Sequence, residues 1–441
     1  MKVATLGGSP YLQRQTIAQD CQPRDYGWGS FVCVCNAHHC DFIGDIGDLP
    51  SGEVVVFESS KAGLRFAKTT AKFSETTGIE YNMGRIPLAS TDFSERKYTY
   101  DDSPDDFELE NFTLASEDLD LKMPHIQKAM SFSSDVVWFI GSSWSSPAWM
   151  KTNGELEGLG FLKGLPGGPY YKTWAKYHIR FIQEYEKQGV PIWGLTTQNE
   201  PTSGFVPFYP WQTLGFTACS QRDFITLDLG PALEHAGYGA GKVKVMIFDD
   251  NRLFLPLWAN LESNLLVLVG KILSDHEAAK YVHGVGVHWY QNKFVGPAVL
   301  DHVRQNFPDK FILATEACSG YEITTVNKVK LGSWDRAEEY ASDIIENLNH
   351  GVGGWIDWNL VLDTEGGPTW ANNYVGSPII ANATAEEFYK QPTYYAMGHF
   401  RQNRKVMLRI QDQSNPVNIQ KVISERSIAT FIWKADSPCP T

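Results

Sequence analysis

The sequence predicts an α/β fold: one (β/α) barrel of TIM type, flanked by a small β domain built from both chain termini. Three observations carry this. From Ile79 onward, short apolar runs of strand character alternate with longer segments of helical period. Several runs are apolar nearly throughout, as parallel strands buried on both faces must be. No glycine-rich phosphate loop follows any of them, which counts against a nucleotide-binding doubly wound sheet, and 441 residues suffice for one large barrel.

Residues 1–20 read as an N-terminal tail. No apolar stretch of signal-peptide length occurs between Met1 and Asp20. Residues 21–71 read as a β segment, with Val54-Val-Val-Phe57 and Leu64–Phe66 as a hairpin. Four of the seven cysteines crowd together here: Cys21, Cys33, Cys35 and Cys40. Disulfides explain the cluster and require an oxidising route. A zinc site drawing on Cys33, Cys35, His38, His39 and Cys40 is the competing reading, but the ligands lack the usual two separated pairs. Two glycosylation sequons, at Asn111 and Asn382, point to the same secretory route as disulfides would.

Residues 73–399 read as the barrel. Its strand runs are Ile79–Ile86, Val136–Ser142, Ile192–Thr197, Val243–Asp249, Gly284–His288, Phe311–Thr315 and Gly354–Asn359. Tyr171, Trp174, Tyr177, His178, Phe181, Ile182 and Tyr185 share one face at three- and four-residue spacing, which predicts a helix. Ala337, Tyr340, Ala341, Ile344, Ile345 and Leu348 predict another. The runs number seven, and a barrel one strand short keeps two raw edges. Residues 400–441 read as a C-terminal β segment packing with the N-terminal one, through Val406–Ile410, Val417–Val422 and Ser427–Trp433.

The net charge of −13 argues against a nucleic-acid partner, because phosphate binding needs clustered Lys and Arg. The longest later apolar run, Leu265 to Val269, is too short to cross a bilayer, so no transmembrane segment is expected. Fourteen Trp residues supply flat apolar faces for the core and for sugar rings.

Among 51 Asp and Glu, position singles out two. Glu200 follows the third run in Thr197-Gln-Asn-Glu-Pro201, and Glu316 ends the sixth in Ala314-Thr-Glu-Ala-Cys318. Barrel active sites lie at the C-terminal ends of the strands, so both carboxylates are expected in one mouth. Carboxyl groups about 5 to 5.5 Å apart suit a retaining glycosidase.

Asn-Glu-Pro on one strand and a second Glu ending a later one resemble the retaining glycoside hydrolases built on a (β/α)8 barrel. The longer runs Cys33–Ala37 (CVCNA), Tyr98–Asp106 (YTYDDSPDD), Ser146–Gly154 (SPAWMKTNG), Tyr281–Tyr290 (YVHGVGVHWY), Leu331–Arg336 (LGSWDR), Asp357–Leu360 (DWNL), Glu365–Pro368 (EGGP) and Phe388–Pro392 (FYKQP) resemble the animal lysosomal glucosylceramidase family, the acid β-glucosidases. The resemblance implies Glu200 as general acid/base, Glu316 as nucleophile and Asn199 on the sugar 2-hydroxyl. It implies glucose contacts for Trp144, Trp358 and Asn373, orientation of the carboxylates by Arg85 and Tyr290, and Cys318 facing the same side as Glu316. Tyr209 and Trp211 fall at the family's aromatic rim, and His288 reads as a structural neighbour of the site. The family pairing implies disulfides Cys21–Cys33 and Cys35–Cys40.

Also implied are hydrolysis of glucosylceramide and related glucosides without metal or organic cofactor, a sphingolipid activator protein and an anionic lipid surface as partners, and residence in the lysosomal lumen through the secretory pathway. The chain departs from the family in three places. After Leu64-Arg-Phe-Ala67 it passes almost at once to Phe73-Ser-Glu75, so the family's first barrel strand and helix, its glycine-rich loop and its sugar-binding Asp are expected to be missing. The C-terminal β segment is short, and Leu261 to Gly270 form an extra apolar segment. These departures open two further readings: an inactive lipid-binding remnant, or a related glycosidase of other sugar specificity, such as a xylanase or β-1,6-glucanase.

Overall fold

A computed structural model describes residues 20–41, 54–62, 64–65, 67–69, 81–133, 136–239, 241–255, 272–401 and 427–433. They fall into two compact units, one within Met1–Glu80, Val329–Ala341 and Pro378–Thr441, the other within Tyr81–Lys328 and Ser342–Ser377. The tail 1–19, Phe73-Ser-Glu75, Leu261 to Gly270, Val406–Ile410 and Val417–Val422 lie outside the described residues.

The larger unit carries a sheet of seven strands: β1 (Met83–Leu88), β2 (Trp138–Ser143), β3 (Gly194–Thr196), β4 (Lys244–Asn251), β5 (Val282–His288), β6 (Phe311–Glu316) and β7 (Val352–Trp355). They pair in chain order and all in parallel, a curled sheet of the (β/α)-barrel kind. The seven predicted runs are these strands; the last lies earlier than expected, because Gly351 at φ +80° turns the chain straight from helix into β7. Inner strands are buried nearly throughout, whereas β1 and β7 have several half-buried positions. Among the described residues these two have no outer neighbour, as a sheet one strand short of closure requires.

Inside the curl, Ile140, Met246, Leu313 and Ile356 form one layer with Met83, Trp193 and Phe311 against it. The first three come from alternate strands β2, β4 and β6, the way barrel interiors are filled. Outside it lies the helix α1 (Met123–Phe132) and then α2 (Pro169–Lys187). In α2, Pro169 starts the helix where no N–H is needed. All seven residues of the predicted apolar face are buried. The helix ends where Gly189 adopts φ +78° and its N–H, with that of Val190, caps the carbonyls of Glu186 and Tyr185. In the helix Trp334–Asn349, Ala337, Tyr340, Ala341 and Ile344 are buried as expected, but Ile345 and Leu348 are 49% exposed. Their spacing places them at the margin of the apolar stripe and not at its centre.

In the smaller unit, Phe31–Cys35 pairs antiparallel with Pro23–Asp25 and with Glu387–Lys390, which pairs with Ile379–Asn382. A second antiparallel sheet joins the two chain ends: Val54–Ser60 pairs with Ser427–Trp433 on one side and Ala67–Thr69 on the other. The return strand of the expected hairpin is thus Ala67–Thr69; Leu64 belongs to the turn, where its N–H donates to Ser60 Oγ at 3.2 Å. Disulfides Cys21–Cys33 and Cys35–Cys40 are formed. The zinc reading therefore falls, since those four sulfurs are bonded to one another.

Candidate active site

The C-terminal ends of β2 to β6 converge on one polar network, and local backbone irregularities aim its side chains. Register shifts mark β4 between Phe248 and Asp250 and β6 between Ala314 and Glu316. Such bulges insert an extra residue and re-aim its neighbours. Asp249 accordingly sits at φ +54°, and Thr315 and Asp249 meet across strands, Oγ1 donating to Oδ1 at 2.6 Å. Beyond β3, Glu200 adopts φ +40°, and its N–H donates to the Asp249 carbonyl at 2.8 Å.

Both predicted carboxylates are here. An oxygen of Glu200, an oxygen of Glu316 and a ring nitrogen of His288 lie within 4.8 Å of one another. Glu316 is held from both sides: Arg85 Nη1 donates to Oε2 at 2.6 Å and the Tyr290 hydroxyl to Oε1 at 2.8 Å. Arg85 Nη2 also donates to Asn199 Oδ1 at 2.7 Å and Asp249 Oδ2 at 2.6 Å, and its Nε to Ser142 Oγ at 3.0 Å. Glu200 receives the Tyr209 hydroxyl on Oε2 and Asn251 Nδ2 on Oε1, each at 3.2 Å. Tyr209 therefore touches Glu200 itself, while Trp211 packs edge-on against it. His288 lies closer to the chemistry than its spacing implied, with Nδ1 3.0 Å from Glu200 Oε1 and Nε2 3.2 Å from Asp249 Oδ1.

Burial sets the electrostatics. Desolvation raises the Glu316 carboxyl above the ordinary glutamate value; His288 and Arg85 oppose this and the Glu200 charge adds to it. Desolvation alone would lower His288, but Glu316, Asp249 and Glu200 outweigh it and lift the imidazole to about 10. Asp249 is buried too, yet Arg85 and His288 hold it well below the usual carboxylate range. Asp250 is pushed up to about 7 by burial and by Glu200 while accepting from Thr202 N–H and Oγ1 at 3.0 and 2.6 Å. The result is an ion network, Arg85 and His288⁺ among carboxylates, in which removing one member strands the others.

The remaining predicted residues border the same space. Trp144 is buried and stacks on half-buried Trp358, ring centroids 4.7 Å apart, with the Arg85 guanidinium 4.8 Å from the Trp144 centroid. Cys318 is buried with Sγ 3.7 Å from the Tyr290 hydroxyl, so it shares that side with Glu316. Asn373 Nδ2 donates to Asp92 Oδ2 at 2.8 Å. Asp92 corrects one expectation. The gap after Ala67 was to leave no acid for the sugar hydroxyls, yet Asp92 is 3% exposed, is raised to about 7 by burial, and feels the charges of Glu316 and Glu200. Its Oδ1 is buried without a hydrogen-bond partner, an unsatisfied acceptor beside the paired carboxylates. The legible signal was Thr91-Asp-Phe93, just beyond the end of β1.

The barrel and its paired carboxylates define a glycoside hydrolase, and comparison with known proteins agrees. Residues 65–403 match the profile described as the glycosyl hydrolase family 30 TIM-barrel domain. The chain belongs to glycosyl hydrolase family 30. It is 42% identical over 438 residues to the mouse lysosomal acid glucosylceramidase, covering 87% of this chain and 82% of that protein. Similarity to an endo-1,6-β-D-glucanase of Neurospora crassa is lower, 27% over 359 residues, covering 79% and 67%. Among solved structures, SrfJ from Salmonella typhimurium aligns with a TM-score of 0.63 at 28% identity, covering 73% of this chain and 66% of that one.

Proposed function

We propose that this chain is a retaining β-glucosidase that hydrolyses glucosylceramide to glucose and ceramide by double displacement. The observation that carries the reading is the approach of Glu200 and Glu316 oxygens to within 4.8 Å. Inverting pairs need about 6.5 to 9.5 Å to admit a water between acid and base. In the first step Glu316 attacks the anomeric carbon, the bond to the ceramide oxygen breaks, and Glu200 gives its proton to that oxygen. In the second, Glu200 takes a proton from water, the water oxygen bonds to the anomeric carbon, and Glu316 leaves as a carboxylate. Arg85 and Tyr290 fix both Glu316 oxygens and spread the returning charge. Asn199 is oriented for the sugar 2-hydroxyl by Arg85, and Trp358, Asn373 and Asp92 offer a ring face and polar groups to the glucose.

A lipid substrate is supported by the 42% identity to a glucosylceramidase and by the surface around the mouth. Phe208, Phe294, Ile323 and Val326, on loops following β3, β5 and β6, are 70% or more exposed. Large apolar side chains left this exposed on neighbouring loops support an interaction surface. We assign them to an anionic lipid surface and a sphingolipid activator protein in the lysosomal lumen, a location reached by the oxidising route that the two disulfides need. Among the described residues no helix is long and apolar enough to cross a membrane. Incubation with a cyclophellitol-type probe tests the reaction: a covalent label on Glu316 is expected, and an unlabelled, folded chain would refute catalysis.

A further inference from the structure

A cavity of about 180 Å³ lies far from the catalytic mouth, lined by Leu233, Glu234, Tyr238, Gly241, Lys280 and His283 among others. It opens beside the first residues of β4 and β5, Lys244 and Val282, at the N-terminal pole of the sheet. Gly241 and His283 line it, and Lys244 Nζ lies beside Gly241 at its edge. Gly241 adopts φ +77°, and a Cβ placed there would lie 2.9 Å from Lys244 Nζ and 3.3 Å from His283 Nε2. Only glycine suits that backbone and leaves that space. His283 Nδ1 accepts the Val245 N–H at 3.2 Å, which places the neutral ring's proton on Nε2, facing the cavity.

Charge pairing sets this corner apart. Lys280 and Lys310 are each neutralised at 2.7 Å by Glu277 and Asp309. Lys244 and Lys242 have no carboxylate partner among the described residues; Lys242 Nζ sits 4.7 Å from the Tyr238 ring centroid. Of the cavity's lining residues Glu234 alone is acidic, and its Oε2 already accepts the Tyr281 hydroxyl at 3.3 Å. A chain of net charge −13 has carboxylates to spare for neutralising a surface lysine. Here, among the described residues, it leaves Lys244 beside Gly241 and Lys242 over the Tyr238 ring without a carboxylate partner.

We propose that this cavity binds the phosphate group of a phosphomonoester, with Lys244 Nζ and His283 Nε2–H as its donors. Such a ligand brings the charge that the lysines lack and accepts several hydrogen bonds at once. The phosphate of a soluble ester and that of a lipid headgroup share this chemistry, and position decides between them. The mouth with Glu200 and Glu316 lies at the opposite, C-terminal ends of the strands, so a bilayer held at this pole would face away from it. The ligand is a soluble ester.

Inorganic phosphate, titrated against sodium chloride at matched ionic strength and followed by thermal melting and phosphorus NMR, tests the site. The unaltered chain is expected to show a saturable rise in melting temperature and a broadened phosphate signal. Lys244→Gln should weaken the apparent affinity by about tenfold or more while melting like the parent in chloride, and Lys244→Arg should restore binding. An equal response in Lys244→Gln, or a rise that never saturates, would overturn the proposal. Sedimentation with phosphatidic acid vesicles separates the sources: Lys244-dependent co-sedimentation overturns the soluble assignment, and none supports it.

Discussion

His288 reaches Glu200 and Asp249 with its two ring nitrogens, at 3.0 and 3.2 Å, while remaining buried. One imidazole thus ties the proposed acid/base to the ion network that holds Glu316, and each position of that network yields a measurable consequence.

Replacing Arg85 by Met leaves Asp249 and Glu316 without their guanidinium in a buried site. Losing one partner of such a pair costs about 3 to 5 kcal/mol, so the urea midpoint should fall accordingly. Asp249→Asn in the Arg85→Met background should cost less than it does alone, because the two effects share one interaction.

Asp92 and His288 make stability pH-dependent in two windows. Asp92 is at about 7 in the folded chain against 3.8 unfolded, so the folded state holds the extra proton between those values and loses stability as pH rises through them. His288 is at about 10 against 6.5; its contribution is full below 6.5 and is lost as pH climbs through 10. Urea midpoints of Asp92→Asn should therefore be flatter between pH 4 and 7, and those of His288→Gln flatter between pH 7 and 10.

Glu200→Ala should slow glucoside hydrolysis by about a hundredfold or more, the usual worth of general acid–base catalysis. Azide should restore turnover and give a glucosyl azide of retained configuration, because the small anion enters from the face that Glu200 serves. Tyr209→Phe, which removes one donor to Glu200, should cost about tenfold in kcat/KM.

Trp174→Ala should destabilise the larger unit by about 3 to 5 kcal/mol, since the ring is fully buried in the face that α2 turns to the sheet. Chemical denaturation followed by Tyr and Trp fluorescence would measure it.

Strands and α2 were legible because period and burial are local properties: Tyr171 to Tyr185 announce their buried face without reference to the rest of the chain. Glu200 and Glu316 were legible because a strand end in a parallel barrel fixes the destination of its side chains. Asp249 was not. Asp249 and Asp250 are adjacent, and only the bulge in β4 determines that one meets Arg85 and the other Thr202. Asp92 was not legible as part of the site because the shortened stretch after Ala67 points to the loss of an acid from it, and only the folded chain brings a carboxylate from beyond β1 beside Asn373. Ile345 and Leu348 show the opposite error: helical spacing alone does not show how wide a stripe the sheet covers.

The left-handed backbone of Glu200 has a consequence for durability. A side-chain-bearing residue at φ +40° is held there against its own preference, at a cost on the order of 1 to 3 kcal/mol. Glycine in that place would relax the turn, and it would also take a negative charge away from Glu316. The same change would leave Tyr209 and the buried His288 and Asn251 facing an empty place where the carboxylate stood, so the backbone keeps its unfavourable angle because the side chain it presents holds three partners at once.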